Sequence, residues 1–447
     1  MLTLSTKKDK PISAEAACSI LSQHNRLCPI YIDLDRLYEY FYFYNAMTSL
    51  QNIKCSQMIH PMRSDVKPLQ TIDIIKWFSD NKLDTYMPVG KQGVMSTAAS
   101  AMRDLLNLGV ANEEQVAIIK EFLKLSEYAA TKSPLRGVIE DGTRSDKISV
   151  EGHRMVEVWP DWATQNTSRF TATNPALGNF TRTVKDLTTV PQGYVQKQVD
   201  SGQIEPRITY STVIKDKQII YYITGYDDAY YGLLHYVTQS VEEWLSGRTD
   251  IKLFEITDDL KAKRQQLKTL GNAVLYGSTN EHGGDLLSSN YIKRIGGHKS
   301  RQAFQKDVEN RLMSGEYVFE TAFGTKIDVR QSTNSQSKYS ESQGSGYFNH
   351  LVRGAINSYM QGTAADLMRF AIQEADIYLT ENARDSYISM SVHDALYYTI
   401  NEDEYDKLSD TLDGFTAYQV DDWIPIKAEA ENGVHRTNPI FADIEVF

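Results

Sequence analysis

The 447 residues predict an α+β fold class, and two observations carry that reading. Roughly the first 135 residues show apolar positions at helical spacing with few strand-like runs. From Ile148 onward β-favouring runs appear between helices, the clearest being residues 391–400, Ser-Val-His-Asp-Ala-Leu-Tyr-Tyr-Thr-Ile. That run suits two strands around a tight turn, with His393 and Asp394 at the tip.

Taken in order, residues 1–28 are mixed and peripheral. Residues 29–35 read as a short strand or turn leading into a helix over 36–52. Residues 71–82 read as a helix through Ile72, Ile74, Ile75, Trp77 and Phe78. Gly90 and Gly93 break the chain. Helices are expected over 96–108, with a Ser or Thr cap available, and over 113–131. Residues 150–159 read as a strand, and 167–183, rich in Thr, Asn, Pro and Gly, as an ordered loop. Residues 218–224 (Gln-Ile-Ile-Tyr-Tyr-Ile-Thr) read as a buried strand ending just before Asp227 and Asp228, with a helix over 229–245 after it.

A helix over 256–278 carries Arg264, Lys268, Asn272 and Tyr276 four residues apart, hence near one face. Gly277 and the Gly283-Gly284 pair end it. Residues 300–313 read as a helix and 316–329 as a hairpin turning at 323–326. Residues 331–346 are polar and of low complexity, a flexible loop or disorder. A long helix over 350–379 carries a second polar stripe, Arg353, Asn357 and Gln361. Residues 423–429 read as the last strand. No internal repeat is visible.

Hydrophobic residues make up 41% of the chain, enough for a sizeable core, and the formal charge is -11. There is no bulk basic signature, although a local basic groove can sit on an acidic protein. Three cysteines, Cys18, Cys28 and Cys55, have no metal-site spacing, which suits a reduced, cytoplasmic chain. No signal-peptide pattern and no apolar run approaching roughly 18 residues is present, so no membrane partner is expected.

The chemistry turns on carboxylates. Mg²⁺ takes oxygen ligands, commonly one or two carboxylates with phosphates and water. Asp394 therefore needs a second carboxylate, and Asp227, at the end of the expected strand, is the candidate, with Asp228 one residue away as the alternative. Singly, each feature has a plainer reading. An Asp at an element boundary is usually a cap, a Lys/Arg stripe is usually a solvated helix face, and the cysteines are small core residues.

The joint occurrence resembles family A DNA polymerases, from about residue 30 to the C-terminus. Arg353-Gly-Ala-Ile-Asn357-Ser-Tyr-Met-Gln361-Gly-Thr-Ala-Ala-Asp366 is nearly the family's RAAINxPxQGTAAD helix. Arg264, Lys268 and Tyr276-Gly277 resemble its fingers-helix motif B, and Val392-His393-Asp394 its motif C, usually Val-His-Asp-Glu. Residues 168–179 resemble the GRLSSxxPNLQN segment and 317–324 the YVETLFGR segment. Residues 218–227 are taken as motif A, which in the family reads Asp-Tyr-Ser-Gln-Ile-Glu-Leu-Arg.

On that assignment the departures are instructive. The family's sugar-crowding glutamate falls on Gly232, as in single-subunit phage RNA polymerases, which also carry a His where His235 stands. The motif C glutamate is Ala395, and the aromatic in the middle of motif B is Asn272.

The resemblance implies a right-hand polymerase fold with a helical thumb, an antiparallel-sheet palm and helical fingers. The expected division is an N-terminal extension over 1–29, thumb over 30–147, palm over 148–250, fingers over 251–346 and second palm part over 347–447. It implies a monomeric DNA-templated DNA polymerase adding dNTPs to a primer 3′ end, without a 3′–5′ exonuclease, in the cytoplasm of a bacterial or phage-infected cell. Two Mg²⁺ ions, or Mn²⁺, would be held by Asp227 and Asp394.

Arg264, Lys268, Asn272, Tyr276 and Gly277 would bind the nucleotide. Arg169, Asn179, Arg353, Asn357, Gln361 and His393 would contact primer–template DNA, and a helicase/primase or processivity factor is the expected partner class. Gly232, with Tyr231 beside it, would form the sugar gate and discriminate weakly against ribonucleotides. A compact RNA polymerase or primer-making enzyme is the rival reading, and a catalytically silent nucleic-acid-binding subunit the other.

Overall fold

Capping chemistry sets the helices of the first third. The computed structural model describes the chain except residues 62–66, 88–94, 166–168, 174–185, 239–256, 276–285, 333–344 and 433–447. After β1 (Leu2–Leu4), Ser13 caps α1 (Ala14–Leu27), and β2 (Ile30–Asp33) runs directly into α2 (Leu34–Ile59). Asp33 closes β2 and caps α2, its Oδ1 accepting from the Arg36 N–H at 3.0 Å. Then come α3 (Thr71–Asp80), α4 (Ala99–Asn107) and α5 (Glu113–Asp141), the last opened by a reciprocal Asn112–Gln115 capping box. Trp77, Phe78, Leu105 and Phe122 fuse α2 to α5 around one apolar cluster. The helices expected over 36–52, 71–82, 96–108 and 113–131 are all present, two of them longer than expected.

Strands come next: β3 (Thr143–Ile148), β4 (Arg154–Val158), β5 (Asp161–Thr164), β6 (Phe170–Thr173), β7 (Thr188–Thr189) and β8 (Tyr194–Ser201). One sheet has the order β3-β4-β2-β7, and β5 pairs with β6. Most of the loop expected over 167–183 lies outside the described residues, and β6 falls within it.

The helical block after β8 is α6 (Ile204–Thr209), α7 (Lys217–Thr224), α8 (Ala229–Thr238), α9 (Asp258–Leu275), α10 (Leu286–Tyr291) and α11 (Lys299–Met313). Here the strand expected over 218–224 is corrected: the segment is α7. Asp216 caps it, Oδ1 accepting from Gln218 and Ile219, and its buried positions Ile219, Tyr222 and Ile223 keep i, i+3, i+4 spacing.

The expected hairpin over 316–329 is β9 (Val318–Glu320) and β10 (Lys326–Asp328), followed by the short α12 (Val329–Ser332). The polar stretch over 331–346 lies largely outside the described residues. The long helix α13 (Ser345–Asn382) then leads to β11 (Tyr387–Val392), β12 (Ala395–Asn401), α14 (Tyr405–Gly414), β13 (Tyr418–Val420) and β14 (Ala428–Asn432).

The sheet that positions the site has the order β11-β12-β8-β14, all neighbours antiparallel. Leu367, Ala371, Ile372 and Ala375 of α13 pack on Val199, Leu396, Tyr398 and Ile400 of that sheet. Among the described residues no helix is long and apolar enough to cross a membrane.

Candidate active site

The site begins at the β11–β12 turn. Val392 pairs with Ala395, leaving His393 and Asp394 as a two-residue loop. His393 has φ +57°, the left-handed conformation such loops demand at their first central position. The turn is tied to the neighbouring strand, since the Asp394 carbonyl accepts from the Ser201 N–H at 2.9 Å. In the same register Ala395 lies opposite Asp200, and Asp200 lies opposite Glu429 of β14.

An open cleft of about 390 Å³ forms over this row, lined by Arg169, Asp200, Gln203, Glu205, Tyr230, Arg264, Lys268, His393, Asp394 and Glu429. Burial pushes the Asp394 carboxyl above its ordinary range, opposed chiefly by the nearby Arg169 cation. Arg169 pairs with Glu205. Arg264 pairs with Asp228 and lies over the Tyr230 ring at 5.3 Å. Lys268, one turn on, is exposed into the cleft.

Thus Asp394, His393, Arg169, Arg264 and Lys268 meet in one cleft. Asp227 does not join them. The expectation rested on a strand carrying Asp227 to the sheet. With that segment helical, Asp227 stands on a turn, its side chain 96% exposed and paired with Lys427 Nζ at 2.5 Å. Lys427 holds its carboxyl below the usual range. Asp228, the alternative, faces Arg264 instead. The carboxylates that share the cleft with Asp394 are Asp200, Glu205 and Glu429.

The residues expected to form the sugar gate also lie away from the cleft. Gly232 lies inside the α7–α8 packing, where a Cβ would come 2.5 Å from the Tyr222 carbonyl oxygen and 2.7 Å from Ile223 Cα. Its lack of a side chain serves helix contact, and neither Gly232 nor Tyr231 lines the cleft. His235 is likewise spent locally, its Nδ1 2.7 Å from the Tyr226 hydroxyl.

Sequence reasoning missed β8 and the segment that leads from it into α6. Residues 200–207 read Asp-Ser-Gly-Gln-Ile-Glu-Pro-Arg, agreeing with Asp-Tyr-Ser-Gln-Ile-Glu-Leu-Arg at five of eight positions. That signal was present in the chain. Glu205 takes the glutamate's position in that pattern. Arg207 is buried and donates to the carbonyls of Gly202, Pro425 and Asp227 at 2.6–3.1 Å, stapling three segments behind the cleft. The Gln203 Oε1 accepts from the Ala229 N–H at 2.6 Å.

On α13, Arg353 is exposed and Gln361 half-buried. The Asn357 Oδ1 is buried without a hydrogen-bond partner among the described residues. Asn179, Tyr276, Gly277 and the Asn272 side chain lie outside the described residues. Separately, Asp33, Glu151 and His153 bring possible ligand atoms within 4.8 Å of one another at the β2–β4 sheet. Asp33 is already engaged there by the α2 cap and by His153 Nδ1 at 2.6 Å.

The profile of DNA polymerase family A matches residues 76–436. DNA polymerase I of Pseudomonas aeruginosa is 23% identical over 340 residues, covering 71% of this chain and 32% of that protein, so the chain spans about a third of this curated relative. Among solved structures, the POL domain of Pol1 from M. smegmatis, in complex with DNA primer–template and dNTP, superposes with a TM-score of 0.65 at 18% identity. That match covers 94% of this chain and 69% of the other. The architecture is accordingly the right-hand polymerase fold. The chain belongs to DNA polymerase family A.

Proposed function

We propose that the protein is a DNA-templated DNA polymerase that adds dNTPs to a primer 3′ end. The observation that carries this reading is that Asp200, opposite Ala395 in the β8–β12 register, lines one cleft with Asp394 of the adjoining turn and with Arg264 and Lys268. Carboxylates on a rigid sheet opposite a cationic helix face are what phosphoryl transfer asks for, since it depends on alignment and charge neutralisation. On this reading α2 to α5 form the thumb, the β11-β12-β8-β14 sheet the palm, and α7 to α10 the fingers.

The donor set fits hard divalent cations: oxygen ligands only, with Asp394 left partly desolvated. Asp200 and Asp394 would hold two Mg²⁺, or Mn²⁺, which when bound supply activation of the primer hydroxyl and neutralisation of the leaving pyrophosphate. The chain's own residues do the rest. Arg264 offers a planar fork and Lys268 a mobile point charge to the triphosphate. Glu205, fixed by Arg169, crowds the sugar 2′ position and selects deoxyribose. Asn357, with its open acceptor, and Gln361 and Arg353 on the same helix meet the primer–template duplex. His393 braces the primer terminus from the left-handed turn.

Extension of a labelled primer–template with Mg²⁺ and dNTPs or rNTPs tests the reading. We expect extension with dNTPs, abolished by Asp394→Ala and by Asp200→Ala and kept by Asp227→Ala. Activity surviving Asp200→Ala but lost in Asp227→Ala would reverse the assignment. No extension by the unaltered chain, with DNA still bound, would favour a silent subunit.

A further inference from the structure

We propose that Glu429 supplies a third carboxylate to the metal site, standing in for the glutamate that comes after the motif C aspartate in relatives. This rests on the Asp200–Asp394 reading above. In this chain the residue after Asp394 is Ala395, which has no ligand to offer. Ala395, Asp200 and Glu429 form one row across β12, β8 and β14, Asp200 being the direct partner of both others. Residues directly opposite each other in an antiparallel sheet point to the same face, with Cβ atoms about 5 Å apart. The carboxylate missing on one side of Asp200 is therefore matched by one present on the other. Glu429 lines the same cleft as Asp200 and Asp394.

A second departure makes room for it. The position two residues after the motif A aspartate, Ser in the family pattern, is Gly202 here. A Cβ at 202 would come 2.5 Å from Glu429 Oε1 and 3.1 Å from its Cδ, so the carboxylate leans into space that only glycine leaves open. The same glycine's N–H donates to the Lys427 carbonyl at 2.8 Å, fixing the entry of β14 beside the turn. Lys427, just before that strand, pairs with Asp227, and Glu429 lines the cleft. Loss at Ala395, opening at Gly202 and a carboxylate at Glu429 thus belong to one rearrangement: the acid is moved from the hairpin to the last strand.

The test is calorimetric titration of Mn²⁺ into the full chain without DNA or nucleotide, with thermal unfolding to confirm folding. Glu429→Gln should weaken Mn²⁺ binding about tenfold, the lower end of what losing a supporting metal contact does. Gly202→Ser should weaken it in the same direction by displacing the carboxylate. Adding Ala395→Glu to Glu429→Gln should restore affinity, because it returns the acid to the hairpin. Wild-type Mn²⁺ affinity in Glu429→Gln overturns the proposal. Weakening without rescue by Ala395→Glu overturns the replacement of one acid by the other. Asp394→Ala separates the layers: if it binds Mn²⁺ and extends primers normally, the reading of the site itself has failed. If it is inactive while Glu429→Gln binds Mn²⁺ like wild type, only the role of Glu429 has failed.

Discussion

Arg264 and Asp228 form a two-pronged ion pair across the cleft wall, Nε and Nη2 of the arginine lying 2.9 and 2.6 Å from the same carboxylate oxygen, Oδ2. The other oxygen, Oδ1, accepts from the Tyr230 N–H at 2.8 Å at the start of α8. The carboxylate is therefore fixed and already holds Arg264. On the proposed reading, an incoming triphosphate would have to share Arg264 with it. Asp228→Asn keeps a capping oxygen and removes the competing charge. We expect KM for dNTPs to fall roughly fivefold, the worth of about 1 kcal/mol for a partly exposed pair, with kcat little changed. Steady-state single-nucleotide insertion reads this out, and a higher KM would mean that Asp228 aims Arg264 instead of withholding it.

Sugar selection separates Glu205 from Gly232. Glu205 lines the cleft and is held by Arg169, whereas Gly232 faces the backbone of α7. Single-turnover insertion should favour dATP over rATP strongly, and Glu205→Ala should erode that preference by an order of magnitude or more, roughly the 1–3 kcal/mol by which a pocket discriminates one small group. Gly232→Ala should leave the preference intact and instead cost about 1–3 kcal/mol of stability by overpacking. A selectivity change in Gly232→Ala without loss of stability would return the gate to that position.

On the proposed reading Asn357, whose Oδ1 has no hydrogen-bond partner among the described residues, contacts the bound primer–template. Asn357→Ala should weaken primer–template affinity about fivefold, the equivalent of one hydrogen bond of about 1 kcal/mol. Fluorescence anisotropy with a labelled duplex measures it. Affinity equal to wild type would assign Asn357 to packing alone.

Acid sensitivity should be traceable to His24, which joins α1 to α13 and β11. The Ile388 N–H points to its Nδ1 at 3.4 Å, and its Nε2 lies 3.0 Å from Asp376, a neutral tautomer with Nδ1 as acceptor. Burial lowers its pKa, with Asp376 pulling the other way. Below the ordinary value of about 6.5 the unfolded chain then binds a proton that the folded chain resists, so stability falls as pH drops through that window and is full above it. Urea unfolding at pH 7.5 and 5.5 should show the loss, and His24→Gln should flatten it. An unchanged pH dependence in the variant would clear His24.

The hairpin at 391–400 and the long polar-striped helix were legible because local pattern and tertiary role agree there. Two elements were not. Strand β8 reads as polar since its buried positions include Gln196 and Lys197. Lys197 is accommodated by distant partners, Asp413 at 2.8 Å, Ser409 at 2.5 Å and the Tyr405 ring, which no local window reveals. Helix α7 reads as a strand because isoleucine and tyrosine favour strands, while tertiary packing selects its helical stripe. Reading 218–224 as a strand places the expected aspartate at Asp227, 27 positions from Asp200, the residue proposed above, and the expected sugar gate is numbered from it. Arg264 and Lys268, on a helix read as a helix, and His393 and Asp394, in a turn read as a turn, do line one cleft.

Strand β8 lies between β12 and β14, and β14 is drawn from the far end of the described chain. During synthesis β8 leaves the ribosome about two hundred residues ahead of both neighbours, so neither of its sheet partners is yet there to pair with it. Pairing on one flank comes with β12, and the second flank closes only when residues 428–432 arrive. Such late, distant pairing makes for slow folding. Until that moment a nascent chain carries an open sheet edge beside the cleft residues, so the yield of folded chain should turn on residues 428–432.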